Sequence, residues 1–143
     1  MTRVTVTEVV DEDAETVRER MHDVEAFVRA SGFDEVRRDG DRVEVANQVG
    51  PVTIELVFEL YDDPDAELAY RQREGIFEEM VTTYSIRAGD GETTGDDATT
   101  VEAVTEFSLD VAFVGSVLDA TVITRQRRGE LNAQLAYLES GDV

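Results

Sequence analysis

Alternating strand patterns fill the middle of this chain and one long amphipathic pattern closes it; that order constrains the fold more than any other feature. Val52, Ile54, Leu56, Phe58 and Leu60 alternate with Thr53, Glu55, Val57, Glu59 and Tyr61, which gives a strand one apolar and one mostly wet face. Thr99–Leu109 repeats the pattern, with Val101, Ala103, Thr105, Phe107 and Leu109 on one side and Glu102 and Glu106 on the other. Residues 112–138 then switch to helical spacing. Val114, Val117, Thr121, Thr124, Arg128, Leu131, Leu135 and Leu138 fall on one face. The leucines at the end are a packing stripe, whereas Thr121, Thr124 and Arg128 put polar groups where apolar ones belong. A curved antiparallel sheet wrapped around such a helix tends to enclose a pocket. The expected class is α+β, and the sequence suggests a container without saying what it holds.

The remaining segments fit between these anchors. Thr2–Val10 alternates with Val4 and Val6 on one side, and Val10 is a candidate third. Asp11 or Asp13 can cap a helix running to Met21, and Glu15 and Glu19 suit the positive end of its dipole. A second short helix over 24–30 carries Val24, Phe27 and Val28 on one face and ends at Ser31-Gly32. Strands over 35–38 and 42–48 flank Asp39-Gly40-Asp41, a hairpin signal because glycine tolerates positive φ. Gly50-Pro51 breaks the chain, and Asp62-Asp63-Pro64-Asp65 is a turn. Two more strands over 67–73 and 77–87 surround Glu74-Gly75. Residues 88–98 form a glycine- and acid-rich loop with no apolar anchor. There is no internal repeat and no linker, so the 143 residues are expected to form one domain.

Charge decides what the surface faces. Thirteen basic residues against 33 acidic ones give a formal net charge of −20, and all thirteen are arginine. The acids are scattered through patterned segments, as at Glu55, Glu59, Glu102 and Glu106. This is an acidified folded surface, and it resembles those of proteins from salt-loving archaea. Concentrated salt would screen the self-repulsion that such a charge creates. Nucleic acid is not an expected partner, since binding it needs a basic patch and Arg125-Gln126-Arg127-Arg128 is short. Cysteine is absent, which excludes disulfides and thiolate chemistry. No apolar run approaches the roughly 20 residues of a membrane span, and Met1-Thr2-Arg3-Val4 enters a strand without a signal-peptide core, so a cytoplasmic protein is expected.

The order strand, two short helices, six strands, long helix resembles the SRPBCC superfamily, also called START-like or Bet v 1-like, which includes polyketide cyclase/dehydrase and lipid-transport proteins. The phrases carrying the resemblance are VTVTEVV before a capped helix, LAYRQREGIFEEMVTTYSI, and TTVEAVTEFSL leading into LDATVITRQRRGELNAQLAYL. Together they span nearly the whole chain. None is a catalytic signature, so no active-site residue is carried across. The resemblance implies a helix-grip fold, a strongly bent seven-stranded sheet around the long helix. It also implies a cavity for a small apolar or amphipathic molecule such as a lipid, isoprenoid, quinone or polyketide.

On that fold Phe58, Tyr70, Gln72, Met80, Thr82, Tyr84, Thr105 and Phe107 of the strands point inward with Leu56, and Val117, Thr121, Thr124 and Arg128 of the helix face them. These are the candidate ligand-binding residues. Leu56, Phe58 and Phe107 read first as plain core. Gln72, Thr82, Thr105, Thr121 and Thr124 are more informative, because buried polar groups need partners, whether each other, water or a ligand. An inward Arg128 could bind a carboxylate, phosphate or enolate oxygen; the stronger competing reading has its stem along the surface and its head on one of the many acids. His22, the lone histidine, sits beside Asp23 where the short helices meet and reads as a junction residue. Tyr70 and Tyr84 could donate to a ligand carbonyl. Ser116 has no histidine at a recognisable offset.

No cofactor and no metal are expected. Glu78-Glu79, Asp96-Asp97 and Asp62-Asp63 are uninformative in so acidic a chain, and no calcium-loop or zinc spacing is present. Gly89, Gly91 and Gly95 lack the following helix of a dinucleotide fingerprint. Three functions follow as expectations: a binding or carrier protein; a cyclase/dehydrase-type enzyme in which Tyr70, Tyr84 or Arg128 polarises a carbonyl; and an interaction module with a filled core and an exposed apolar patch.

Overall fold

The computed structural model describes residues 2–88, 98–109 and 120–141. The order is β1 (Thr2–Val10), α1 (Ala14–His22), α2 (Val24–Arg29), β2 (Glu35–Asp39), β3 (Arg42–Val49), β4 (Val52–Leu60), β5 (Leu68–Glu74), β6 (Phe77–Ala88), β7 (Thr99–Leu109) and α3 (Ala120–Ser140). The seven strands form one antiparallel sheet in the order β1-β7-β6-β5-β4-β3-β2. Sequential hairpins build β2 to β7, and β1 closes on β7 because α1 and α2 carry the chain across to β2.

Alternation sorts the two faces. Val4, Val6, Val43, Val45, Leu56, Phe58, Met80, Tyr84, Val101, Ala103 and Phe107 are buried, while Glu55, Glu79 and Glu102 beside them are exposed. At about 25 cal/mol per Å² of apolar surface, this one-sided burial fixes the strand register, since a one-residue slip would turn the apolar set to water. The register shifts at Val57/Phe58 against β5 and at Phe77/Glu79 against β7. Such bulges bend a strand and increase its twist, which helps the sheet curl around a helix.

Local chemistry sets the helix ends. The Asp13 carboxylate accepts the Thr16 N–H at 2.9 Å and caps α1. Arg20 of α1 donates to the Leu138 and Glu139 carbonyls at 2.7 and 2.9 Å, placing a cation on the negative end of α3. Gly75, at φ 151°, is required by close approach: a Cβ there would run into Leu56 and Gln72.

The first part of the expected 112–138 helix, with Val114, Ser116 and Val117, lies outside the described residues. So does most of the 88–98 loop, with Gly89, Gly91, Gly95 and Asp96-Asp97. The described part of α3 buries Ile123, Leu131, Leu135 and Leu138, together with Arg127, Glu130 and Gln134. Here the structure corrects the expected phase of the helix. Arg128 and Thr121 are exposed and Thr124 is half-buried. Both three- and four-residue steps keep a helix near one face. A three-residue step before Leu131 leads to Arg128 and then Thr124; the fold follows the four-residue step, to Arg127 and Ile123.

Candidate functional site

The interior between the sheet and α3 contains a polar cluster set among apolar side chains. Its floor comes from strand register. Thr105 of β7 lies directly opposite Thr82 of β6, and Thr82 lies opposite Tyr70 of β5. Facing side chains on one pleat meet, so the Thr82 and Thr105 hydroxyls come within 2.9 Å. Tyr84, two residues on, sits diagonally from Tyr70, and their hydroxyls are 2.8 Å apart.

Its roof is α3. Arg127 is only 4% exposed. Its Nη1 donates to the Glu130 carboxylate, and its Nη2 donates to the Thr82 and Thr105 hydroxyls at 3.1 and 3.2 Å. Glu130 follows Arg127 by three residues, a spacing that places both on one helix face, and its side chain is 5% exposed. One turn further on, Gln134 accepts from the Tyr84 hydroxyl at 2.6 Å and donates to the Phe27 carbonyl of α2 at 3.3 Å. Arg127 Nε is buried and has no hydrogen-bond partner among the described residues.

Burial works against the Arg127 charge, but the Glu130 carboxylate and the nearby Tyr70 and Tyr84 hydroxyls outweigh it and raise the guanidinium above its ordinary value. Burial, with Tyr70 beside it, pushes the Tyr84 phenol well above its ordinary range, so it stays protonated. Since Tyr84 gives its proton to Gln134, it accepts from Tyr70, and both phenol protons are committed inside the cluster.

Beside Arg127 and Glu130 lies a cavity of about 20 Å³, measured as space open to the centre of a water molecule. Its wall includes Phe33, Ile54, Leu56, Ile76, Phe77 and Ile123, with the polar Asn47 and Gln126. That is room for about one water. Larger clefts lie outside: about 490 Å³ beside His22, Tyr61 and Asp63, about 530 Å³ over the outer face of β2, β3 and β4, about 490 Å³ on α3 between Thr121, Thr124, Arg125 and Arg128, and about 440 Å³ beside Arg42, Glu59 and Arg73. All are open to solvent and carry charged residues, and among the described residues none holds an unpartnered buried group, so the interior is the better candidate.

The structure brings together Phe58, Tyr70, Met80, Thr82, Tyr84, Thr105 and Phe107, all buried on the inner face. Phe58 stacks on Tyr70 at a centroid distance of 4.8 Å, and Phe107 meets Phe77 at 5.2 Å. Gln72 is half-buried and serves a turn instead. Its Nε2 donates to the Phe77 carbonyl at 2.7 Å and its Oε1 accepts the Phe77 N–H at 3.0 Å. Arg128 and Thr121 do not reach the interior, for the phase reason given above; Arg127, Glu130 and Gln134 take their place. The signal for them was available in the Arg127–Glu130 spacing and the four-residue step before Leu131. His22 is a junction residue, 2.8 Å from a Glu67 carboxylate oxygen that also accepts from Arg18 at 2.9 Å. Among the described residues no three His, Asp or Glu side chains converge as a metal would require, and no helix is long and apolar enough to cross a membrane.

No family model and no curated protein matches the sequence. Solved structures do match in shape. The Zhui aromatase/cyclase from Streptomyces sp. R1128 is similar over 99% of each chain, with 21% identity and a TM-score of 0.72. A protein from Thermus thermophilus is similar over 99% of this chain and 100% of its own, with 16% identity and a TM-score of 0.70. Ara h 8.0201 is similar over 97% of this chain and 98% of its own, with 12% identity and a TM-score of 0.63. At these identities the likeness concerns the fold. The chain shares the helix-grip fold of these structures, with its seven-stranded sheet, short helices and C-terminal helix.

Proposed function

We propose that the protein binds a small apolar or amphipathic molecule, of lipid, isoprenoid, quinone or polyketide type, between its sheet and α3. The observation that carries this is the Arg127 cluster with its unpartnered Nε beside a cavity. A buried ion pair is a poor source of stability, because apolar replacements of similar volume are often as stable or more so. An orphaned buried donor adds a further cost. Packing alone therefore does not account for the cluster, whereas a ligand-binding interior needs a few placed polar groups in an apolar wall. The resemblance in shape to an aromatase/cyclase and to Ara h 8.0201 is consistent with this.

Small-molecule sites usually enclose about 300–1,000 Å³. A ligand larger than water would therefore enter by displacing wall side chains such as Ile76, Phe77 and Ile123. We place binding ahead of cyclase/dehydrase-type catalysis because the Tyr70 and Tyr84 protons are already committed. An interaction module is less favoured: among the described residues the large exposed apolar side chains are Val9 and Val81, which form no broad patch. The test is to purify the protein in high salt, extract it with organic solvent and compare the extract with a blank by mass spectrometry. A stoichiometric apolar molecule supports the proposal. A clean extract, together with failure to bind any neutral aromatic or isoprenoid probe, refutes it.

A further inference from the structure

We infer that the interior selects an electrically neutral ligand carrying one acceptor oxygen, such as a ketone or quinone, and that Glu130 makes it reject carboxylates and phosphates. This rests on the proposed ligand site between sheet and α3 and adds the chemical class of its occupant. A guanidinium has five N–H groups and no acceptor. In Arg127, Nη1 serves Glu130 and Nη2 serves Thr82 and Thr105, and Nε is the one nitrogen with no partner among the described residues. That Nε is covered by its neighbours, so a ligand oxygen reaches it only as the wall side chains move aside, and then satisfies a charged donor that is otherwise desolvated at a loss.

The same geometry works against an anion. An arginine alone in an apolar interior would be a strong carboxylate site, since its fork matches two oxygens. Here a carboxylate is already on it, supplied by the chain three residues away. The pair is neutral, so a second carboxylate would bring an uncompensated negative charge into a dry space beside Glu130. The other polar groups on the cavity wall, Asn47 and Gln126, are uncharged amides that cannot offset it. The chain's net charge of −20 adds long-range repulsion of the same sign. Donor-only ligands gain little, since the Thr82, Thr105, Tyr70 and Tyr84 hydroxyls bond within the cluster.

Three probes of one shape test this: naphthalene, 2-acetylnaphthalene and 2-naphthoate, which differ in having no acceptor, a neutral acceptor and a negative charge. The protein contains no tryptophan, so probe fluorescence reads binding cleanly. Wild type should bind the ketone about tenfold more tightly than naphthalene, the scale of one hydrogen bond to a charged group, and at least tenfold more tightly than the naphthoate. In Glu130→Gln the order of ketone and naphthoate should reverse, because Arg127 then lacks its internal carboxylate. Equal affinity of wild type for ketone and naphthalene, or for ketone and naphthoate, overturns the inference while leaving a ligand site standing. Failure of all three to bind overturns the inference, and removes the ligand site as well only when the extract is clean and no isoprenoid probe binds. The wild-type comparison needs no variant, so it decides even where Glu130→Gln does not fold.

Discussion

Breaking the Arg127–Glu130 pair from one side should be far more damaging than removing both members. The two side chains are 4% and 5% exposed, so neither charge is supported by water. In Glu130→Leu the guanidinium keeps, among the described residues, the Thr82 and Thr105 hydroxyls and loses its counter-charge. In Arg127→Met the carboxylate keeps, among the described residues, Gln126 at 3.4 Å. Removing one partner of a buried pair costs about 3–5 kcal/mol. For a chain of this size that lowers Tm by roughly 6–20 °C. The double variant, Arg127→Met with Glu130→Leu, buries no unpaired charge and should match wild type or exceed it by about 1–4 kcal/mol. Urea unfolding followed by far-UV circular dichroism at fixed high salt gives all four corners of the cycle. If the double variant loses the sum of the two single losses, the pair is not a self-contained charge unit. If Glu130→Leu costs less than about 1 kcal/mol, the solution structure does not bury the pair as described.

Four further outcomes can be checked on the same preparations. Gly129→Ala, on the exposed side of α3 with open space where a Cβ would sit, should raise stability by about 0.5–1 kcal/mol in urea unfolding; a loss would mean that the position is not helical in solution. Gly75→Ala should lower stability by about 2 kcal/mol or more on the scale of overpacking and backbone strain, since its Cβ would collide with Leu56 and Gln72; a neutral result refutes the close approach. Tyr84 has a raised folded-state pKa, so its contribution is intact below its ordinary value of 10.0 and is lost as pH rises beyond it, by about 1.4 kcal/mol per pH unit. Tyr84→Phe should flatten that alkaline decline, and an unchanged decline would contradict the buried phenol. Added sodium chloride should raise the urea midpoint steeply, because a net charge of −20 repels itself and the screening length falls from about 8 Å at physiological salt to about 3 Å at 1 M; a falling midpoint would show that screened ion pairs outweigh the repulsion.

The strands were legible because their period is two and their polar faces are strongly acidic. Val52–Leu60 and Thr99–Leu109 admit one inward set each, so Phe58, Thr105 and Phe107 could be placed before any coordinates. Asp39-Gly40-Asp41 marked a turn through its glycine, and a cap was legible as Asp11 or Asp13, of which the fold uses Asp13. The helix was harder, because a period of 3.6 leaves two adjacent residues competing for one face and Arg127-Arg128 offers the same chemistry at both. Tertiary register decided it. Arg127 is held by Thr82 and Thr105 from two strands, and those hydroxyls are brought opposite each other only by the pairing of β6 with β7. The cavity's size was not legible either, since it depends on how far Ile76, Phe77 and Ile123 reach into the bend.

The central claim is that the space between sheet and α3, rather than an outer cleft, takes a ligand. Nitrogen-15 amide spectra of the protein titrated with 2-acetylnaphthalene locate the site residue by residue. The account predicts saturable shifts at Thr82, Thr105, Ile123 and Arg127, with the amides around His22, Tyr61 and Glu67 left in place. Shifts confined to that outer cleft, or no saturable shift at all, would contradict it.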